Sequence, residues 1–207
     1  MVLVASWSIS CYGQSSAALI VNGRWGSESI PFFIDSYGNK VTLSTGSGIS
    51  AGGEYSYDFS WLFNLSADAM FHYSALSQKA KNASGKFMAM EILLTPSLTF
   101  PSRPDPRLKV LIGAGPGLYS YGTIKIDATE AGGENITLKY KSTIGYHGQI
   151  LFKIKFQDNT FISIGGKYSM ISYTYRQKGS THYFTDNRIN NPDGSGFALV
   201  VAIGGNF

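Results

Sequence analysis

Between residues 138 and 156 a large apolar side chain recurs at almost every second position. Leu138, Tyr140, Ile144, Tyr146, Ile150, Phe152, Ile154 and Phe156 alternate with Lys139, Lys141, Thr143, Gly145, His147, Gln149, Leu151, Lys153 and Lys155. A strand sends successive side chains to opposite faces, whereas a helix returns to one face about every 3.6 residues. The chain carries no helical stripe of useful length, and the period of two keeps returning. It marks eight segments, at about residues 16–25, 43–59, 63–74, 86–100, 108–126, 138–156, 161–175 and 197–207. The connections between them alternate in length. Residues 26–42 and 176–195 are long and polar, and 77–85 and 127–135 are intermediate. Ser60-Trp61, 101–107 and 157–160 are tight, the second holding three prolines that cannot donate to a ladder. All tight connections fall at one end. The pattern predicts an all-β fold, an eight-stranded antiparallel up-and-down transmembrane β-barrel with short turns on one side and long loops on the other.

Alternation does not say which face looks outward. A soluble carrier barrel of the lipocalin type turns its large apolar side chains inward, and a membrane barrel turns them out. Charged residues make up only 14% of this chain, against about 25% in soluble proteins. The face opposite the apolar one carries Gly, Ser, Thr and Ala rather than a dense solvated surface, and its charges have both signs. We therefore expect an enclosed polar network of Arg24, Glu54, Asp58, Asp68, His72, Glu91, Lys141, His147, Lys153, Lys155 and Lys167, because enclosed charges must pair or stay hydrated. Trp25, Tyr57, Phe59, Trp61, Tyr73, Phe100, Tyr140, Phe156 and Phe207 stand toward segment ends and are expected to form aromatic girdles. Tyr140, Tyr146, Ile150 and Phe152 decide the matter: pointing inward, they would refute the membrane reading. The apolar phase shifts near Ile171, which predicts a bulge. The glycines of residues 113–117 end in no Lys-Ser/Thr and precede no helix, so they are small interior positions or a bulge rather than a phosphate loop.

Residues 1–13 are apolar, end in small residues and are expected to be an export signal, leaving residues 14–207 as the barrel domain. Cys11 is the single cysteine, so no internal disulfide forms. No run of about 18 apolar residues exists to make a spanning helix. In the last segment Phe197, Leu199, Val201, Ile203 and Phe207 share one face, and Ala198, Val200, Ala202, Gly204 and Asn206 share the other. Phe207 is expected at the periplasmic edge, beside the first segment near Leu19.

The chain resembles the bacterial outer-membrane β-barrel domain family, the small eight-stranded barrels of the outer-membrane protein A and W types. The resemblance rests on the stretch Lys109-Val-Leu-Ile-Gly-Ala-Gly-Pro-Gly-Leu-Tyr119, similar to the family's glycine-rich central strand, and on the final strand ending in Phe207. It implies location in the cell outer membrane. The partners it implies are membrane lipid and lipopolysaccharide, and the barrel-assembly machinery, for which Phe207 would be the assembly signal.

His72-Tyr73-Ser74 with Glu91 resembles the His-x-Ser pair and distant Glu of lipid A deacylase barrels, and a His-activated Ser is a competent acyl-transfer nucleophile. Ala75 replaces the Asn that follows that Ser in those enzymes, and the phase points the pair inward, away from acyl chains. His72, His147 and His182 lack metal-ligand spacing, so no metal and no cofactor is expected. Asn82-Ala-Ser and Asn135-Ile-Thr match a glycosylation pattern, which a bacterial barrel leaves unmodified. The net charge of +4 comes with no basic run, and nucleic acid is not expected as a partner. The reading is a non-enzymatic integral outer-membrane barrel with a structural or surface-interaction role. Its lumen would be filled by side chains, and its loops at 26–42 and 176–195 would meet an extracellular ligand. A small pore or conduit for hydrophobic solutes is the alternative.

Overall fold

A computed structural model describes residues 13–34, 40–76, 84–102, 105, 107–127, 129, 134–156, 159–181 and 186–207. Residues 1–12 of the expected export signal, with Cys11, lie outside the described residues, as do Asn82 and His182. The elements are β1 (Gln14–Gly26), β2 (Ile30–Ile34), β3 (Lys40–Leu43), β4 (Gly48–Asp58), β5 (Phe63–Ala75), β6 (Ser84–Pro101), β7 (Leu108–Asp127), β8 (Ile136–Tyr140), β9 (Thr143–Lys155), β10 (Thr160–Met170), β11 (Tyr175–Arg176), a single helical turn α1 (Asn187–Asn190) and β12 (Gly196–Asn206).

Eight of the strands close into a ring in the order β1-β4-β5-β6-β7-β9-β10-β12, every neighbouring pair antiparallel. β12 returns to β1 from Ser16↔Asn206 to Gly26↔Gly196, which removes the sheet edge. Phe207 continues that ladder by donating to the Ser15 carbonyl at 2.9 Å, so it stands beside Ser15 rather than beside Leu19, which pairs with Ile203. The tight connections arise from local chemistry. Ser60 Oγ accepts from the amides of Leu62 and Phe63, both at 3.2 Å, and closes the β4–β5 turn. Asn159 takes a positive φ of 58° between β9 and β10, a conformation Asn tolerates better than most residues.

The outward face is apolar along the whole belt. In β9 Tyr146, Ile150 and Phe152 are 61%, 48% and 49% exposed. The wall is thus built for lipid, and the decisive direction comes out as a membrane barrel requires. Trp25, Phe59, Trp61, Tyr73, Phe100, Phe156 and Phe207 stand at the strand ends with their rings outward. Tyr140 does not join them; it is buried. The segment read as one strand over 138–156 is two, β8 and β9, separated at Lys141-Ser142. Leu138 and Tyr140 face inward, and Ile144 and Tyr146 face outward.

Three further departures share a cause. The connection 26–42 is not simply polar, because β2 and β3 pair within it and bury Ile30, Val41 and Leu43. In β7 the register shifts opposite Met88 and Met90, where Tyr119 and Ser120 are both buried and Tyr121 adopts a φ of 57°. The bulge lies there rather than near Ile171. Inward alternation continues unbroken from Lys167 and Ser169 to Ile171 and Tyr173, but the inward residues change from polar to apolar. Each departure falls where strands rise above the membrane and the enclosed face becomes an apolar core.

Candidate functional site

The enclosed space has three levels. At the end with the tight turns, Asp58 accepts from Asn64 Nδ2 at 2.7 Å and faces Lys109 Nζ at 3.4 Å, and Lys155 Nζ donates to Gln14 Oε1 at 2.9 Å. A cavity of about 590 Å³ opens here between Gly13, Asp58, Ser60, Trp61 and Lys109.

Above it the side chains fill the barrel. Lys153 Nζ sits 3.7 Å over the Phe161 ring and 3.4 Å from Ser16 Oγ, which itself meets Ser56 Oγ at 2.7 Å. Glu54 and Asp68 lie opposite each other in the β4–β5 ladder, within electrostatic reach of Lys167. With its amide turned to satisfy both ends, Asn22 accepts from Lys167 Nζ at 3.3 Å. Arg24 Nη1 forms a buried ion pair with Glu91 Oε1, and Arg24 Nη2 reaches the Gly194 carbonyl at 3.4 Å. Two histidines brace this level: His147 Nε2 meets Thr95 Oγ1 at 2.7 Å, and His72 Nδ1 meets Ser50 Oγ at 3.0 Å. Small residues make room for the network. A Cβ on Gly117 would come within 2.5 Å of Leu93 Cδ2 and 2.9 Å of the Tyr119 ring. Pairing offsets part of the cost of burying these groups, while Asp68 Oδ1 and Glu91 Oε2 have no hydrogen-bond partner among the described residues.

The top level is apolar. Phe87, Ile124, Leu138, Tyr140 and Tyr173 are buried with Ile30 and Leu43. Phe87 and Tyr173 meet edge to face at 5.4 Å, and Tyr140 Oη donates to the Ile189 carbonyl at 2.9 Å. The two long connections close over this core. Ser27 Oγ donates to Asp193 Oδ2 at 2.7 Å, Thr45 Oγ1 to the Asp193 carbonyl at 2.9 Å, and Ser195 N to Asp193 Oδ1 at 2.8 Å. Burial pushes the Asp193 carboxyl up, but the hydrogen bonds from Ser195 and Ser27 outweigh it and hold the carboxyl below the usual range.

Of the sequence-predicted network, Arg24, Glu54, Asp58, Asp68, His72, Glu91, His147, Lys153, Lys155 and Lys167 share the inner wall. Lys141 does not. It is exposed at the β8–β9 break, and the interruption of the strand turns it outward. Asn22, Asn64 and Lys109 belong to the network and were missed, although each has the parity of an inward neighbour. Ser74 is also inward, and the His72 ring meets Ser50 Oγ through Nδ1 rather than Ser74.

No family model matches the chain, and no curated protein matches it. Solved structures do. The outer membrane protein OprG from Pseudomonas aeruginosa superposes with a TM-score of 0.62 at 14% identity over 94% of this chain and 96% of that one. Neisserial surface protein A superposes with a TM-score of 0.53 at 14% identity, covering 94% and 97% respectively. At such identities the likeness speaks for the fold. Together with the closed ring and its outward apolar belt, it makes this chain an integral eight-stranded barrel of the outer-membrane type.

Proposed function

We infer that the barrel acts as a non-catalytic, non-conducting scaffold that presents its extracellular extension to partners at the cell surface. One observation carries this reading: the lumen is shut twice, by the Arg24–Glu91 level and by the apolar cap above it. An aqueous path would need to part a buried ion pair and an apolar core together, while loops held on a rigid barrel are where binding resides. Reconstitution into planar bilayers tests it. The expected record is a quiet membrane after insertion, and stable open-channel steps would overturn the reading. In the binding arm, a chain shortened within residues 177–188 inserts normally but no longer mediates surface attachment.

A second reading, a lateral route for hydrophobic solutes, has its own observation. The β6–β7 register runs from Leu93↔Gly117 to Ser97↔Gly113 with no pairing between. Pro96 and Pro116 lie in that gap and lack an amide to donate. An apolar outer pocket of about 340 Å³ lies at the same seam, against Phe63, Leu98 and Ile112. Uptake of an apolar solute that falls in the Pro96→Ala and Pro116→Ala chains would favour it over the closed scaffold.

A further inference from the structure

The outer wall above the belt carries four cations in direct succession. Lys86 of β6 lies opposite Lys125 of β7. Lys125 lies opposite Thr137 of β8, and two residues on, Lys139 lies opposite Arg176 of β11. Directly opposed side chains stand about 5 Å apart at Cβ and diagonal ones about 7–8 Å apart, so the four charges form one zigzag within reach of a single headgroup. All four are exposed, and their strand neighbours Phe87, Ile124, Ile126, Leu138 and Tyr140 are buried, so the cations point away from the barrel. Among the described residues none of the four takes part in an ion pair. Asp127, two residues from Lys125 on the same face, accepts from Thr129 through Oγ1 at 2.6 Å and the amide at 3.1 Å and stays anionic, so the strip is four cations beside one acid.

Like charges placed opposite each other weaken a sheet, and this strip does so twice. Its height supplies the reason. From Met90 to Phe100 the outward face of β6 is continuously apolar. At about 3.3 Å per residue and a tilt of about 40° those ten steps rise some 25 Å, the height of the lipid-facing band. Met88 and the exposed Tyr121 mark the upper rim, and the four cations come next. Water and acyl chains meet at that level, and the anions fixed there are lipid phosphates. A groove of about 510 Å³ accompanies the strip, lined by Lys86 and Lys125 with Ser84, Asp127, Asn135 and Thr137 as further polar groups, two cations to one carboxylate.

We propose that Lys86, Lys125, Lys139 and Arg176 form a docking strip for the phosphorylated headgroup of an outer-leaflet glycolipid, whose acyl chains lie down the apolar wall of β6 and β7. The lipid anneals the β6–β7–β8–β11 extension from outside, as the apolar cap does from inside. The strip depends on the membrane-barrel fold and not on the scaffold role, so the conductance result leaves it standing.

The test uses the full chain folded in neutral detergent and measures its association with bisphosphorylated lipid A. A chain carrying Lys86→Gln, Lys125→Gln, Lys139→Gln and Arg176→Gln is compared with wild type, and Arg107→Gln, exposed at the opposite, tight-turn end of the barrel, serves as a control cation away from the strip. Retention of the heat-dependent gel shift certifies that each chain is folded. Each neutralised charge is expected to weaken binding about fivefold and the four together several hundredfold, with wild-type affinity falling as salt rises. Arg107→Gln and a dephosphorylated lipid A are expected to leave, respectively, full and background binding. Equal binding by the wild-type and quadruple chains overturns the proposal. So does competition by free pyrophosphate at the concentration of the lipid, which would make the strip a site for soluble phosphate.

Discussion

The membrane belt and the extension above it are built from the same strands with opposite rules. In β6 the belt points Ile92, Leu94 and Leu98 outward and Glu91, Thr95 and Ser97 inward. A few residues higher the same strand points Lys86 outward and Phe87 and Ala89 inward. β7 makes the change across its bulge, and the β8–β9 pair across the break at Lys141-Ser142. Apolar surface goes wherever water is not. Inside the bilayer that is mainly the outer wall, with Ile20, Met70, Leu111, Leu151 and Phe161 enclosed among the lumen's polar groups, and above the bilayer it is the lumen. The contrast teaches that the chain has two hydrophobic surfaces, one facing lipid and one enclosed, and that the outer one ends near the height of Glu91 and Tyr119, where the enclosed one becomes dominant.

If the lumen of the belt is held by paired charge, its largest weakness is an unpaired one. Glu91→Gln should destabilise the barrel by about 3–5 kcal/mol, because Arg24 is then buried without its anion. The urea midpoint of the heat-dependent gel shift reads this, and the double change Arg24→Met with Glu91→Leu should recover most of the loss. A midpoint unchanged in Glu91→Gln would mean that the pair does not hold the lumen. In the extension the corresponding weakness is packing. Tyr173→Ala should cost about 3–4 kcal/mol of local stability, seen as faster amide exchange at residues 136–140 and 171–176 while β12 stays protected. Exchange rising equally in β12 would show one cooperative core instead of two.

The outer walls should differ as well. Ile150→Arg places a cation near the middle of the belt and should cost about 2–4 kcal/mol, whereas Ser142→Arg, above it, should change stability by less than about 0.5 kcal/mol. Similar losses at both sites would erase the boundary. The smallest effect concerns pH. Hydrogen bonds hold Asp193 below its unfolded value, so its contribution is present above that value and is lost as pH falls through the folded one. Amide protection in the cap should therefore be flat from about pH 7 to 5 and fall below about pH 4, and Asp193→Asn should remove that fall. A cap that loosens equally in both chains would point to another group.

Within the belt most of this was legible. Period-two alternation located the ring strands, and low charge density gave their direction, because lipid on one side and a narrow lumen on the other leave each position one acceptable class of side chain. Arg24, Glu91, His147 and Lys167 could be placed inside from parity alone. The extension was not legible in the same way. Tyr140 and Lys141 were assigned by continuing the belt's rule past the point where the outside becomes water, and Ile171 and Tyr173 looked like a slipped register when only the solvent had changed. Period two cannot report a change of solvent. Partners likewise had no signal, since the Arg24–Glu91 pair and the Asp193 clasp join residues far apart in the chain.

The most direct measurement of the inversion is a nitroxide scan over residues 136–155 in lipid, on a chain with Cys11→Ser, reading accessibility to oxygen and to a water-soluble nickel complex. Oxygen maxima are expected at 144, 146, 150, 152 and 154, shielding from both reagents at 138 and 140, and nickel access at 139 and 141. Oxygen maxima at 138 and 140 that continue the series from 144 would contradict the inversion, because the belt's rule would then run unbroken to the top of the barrel.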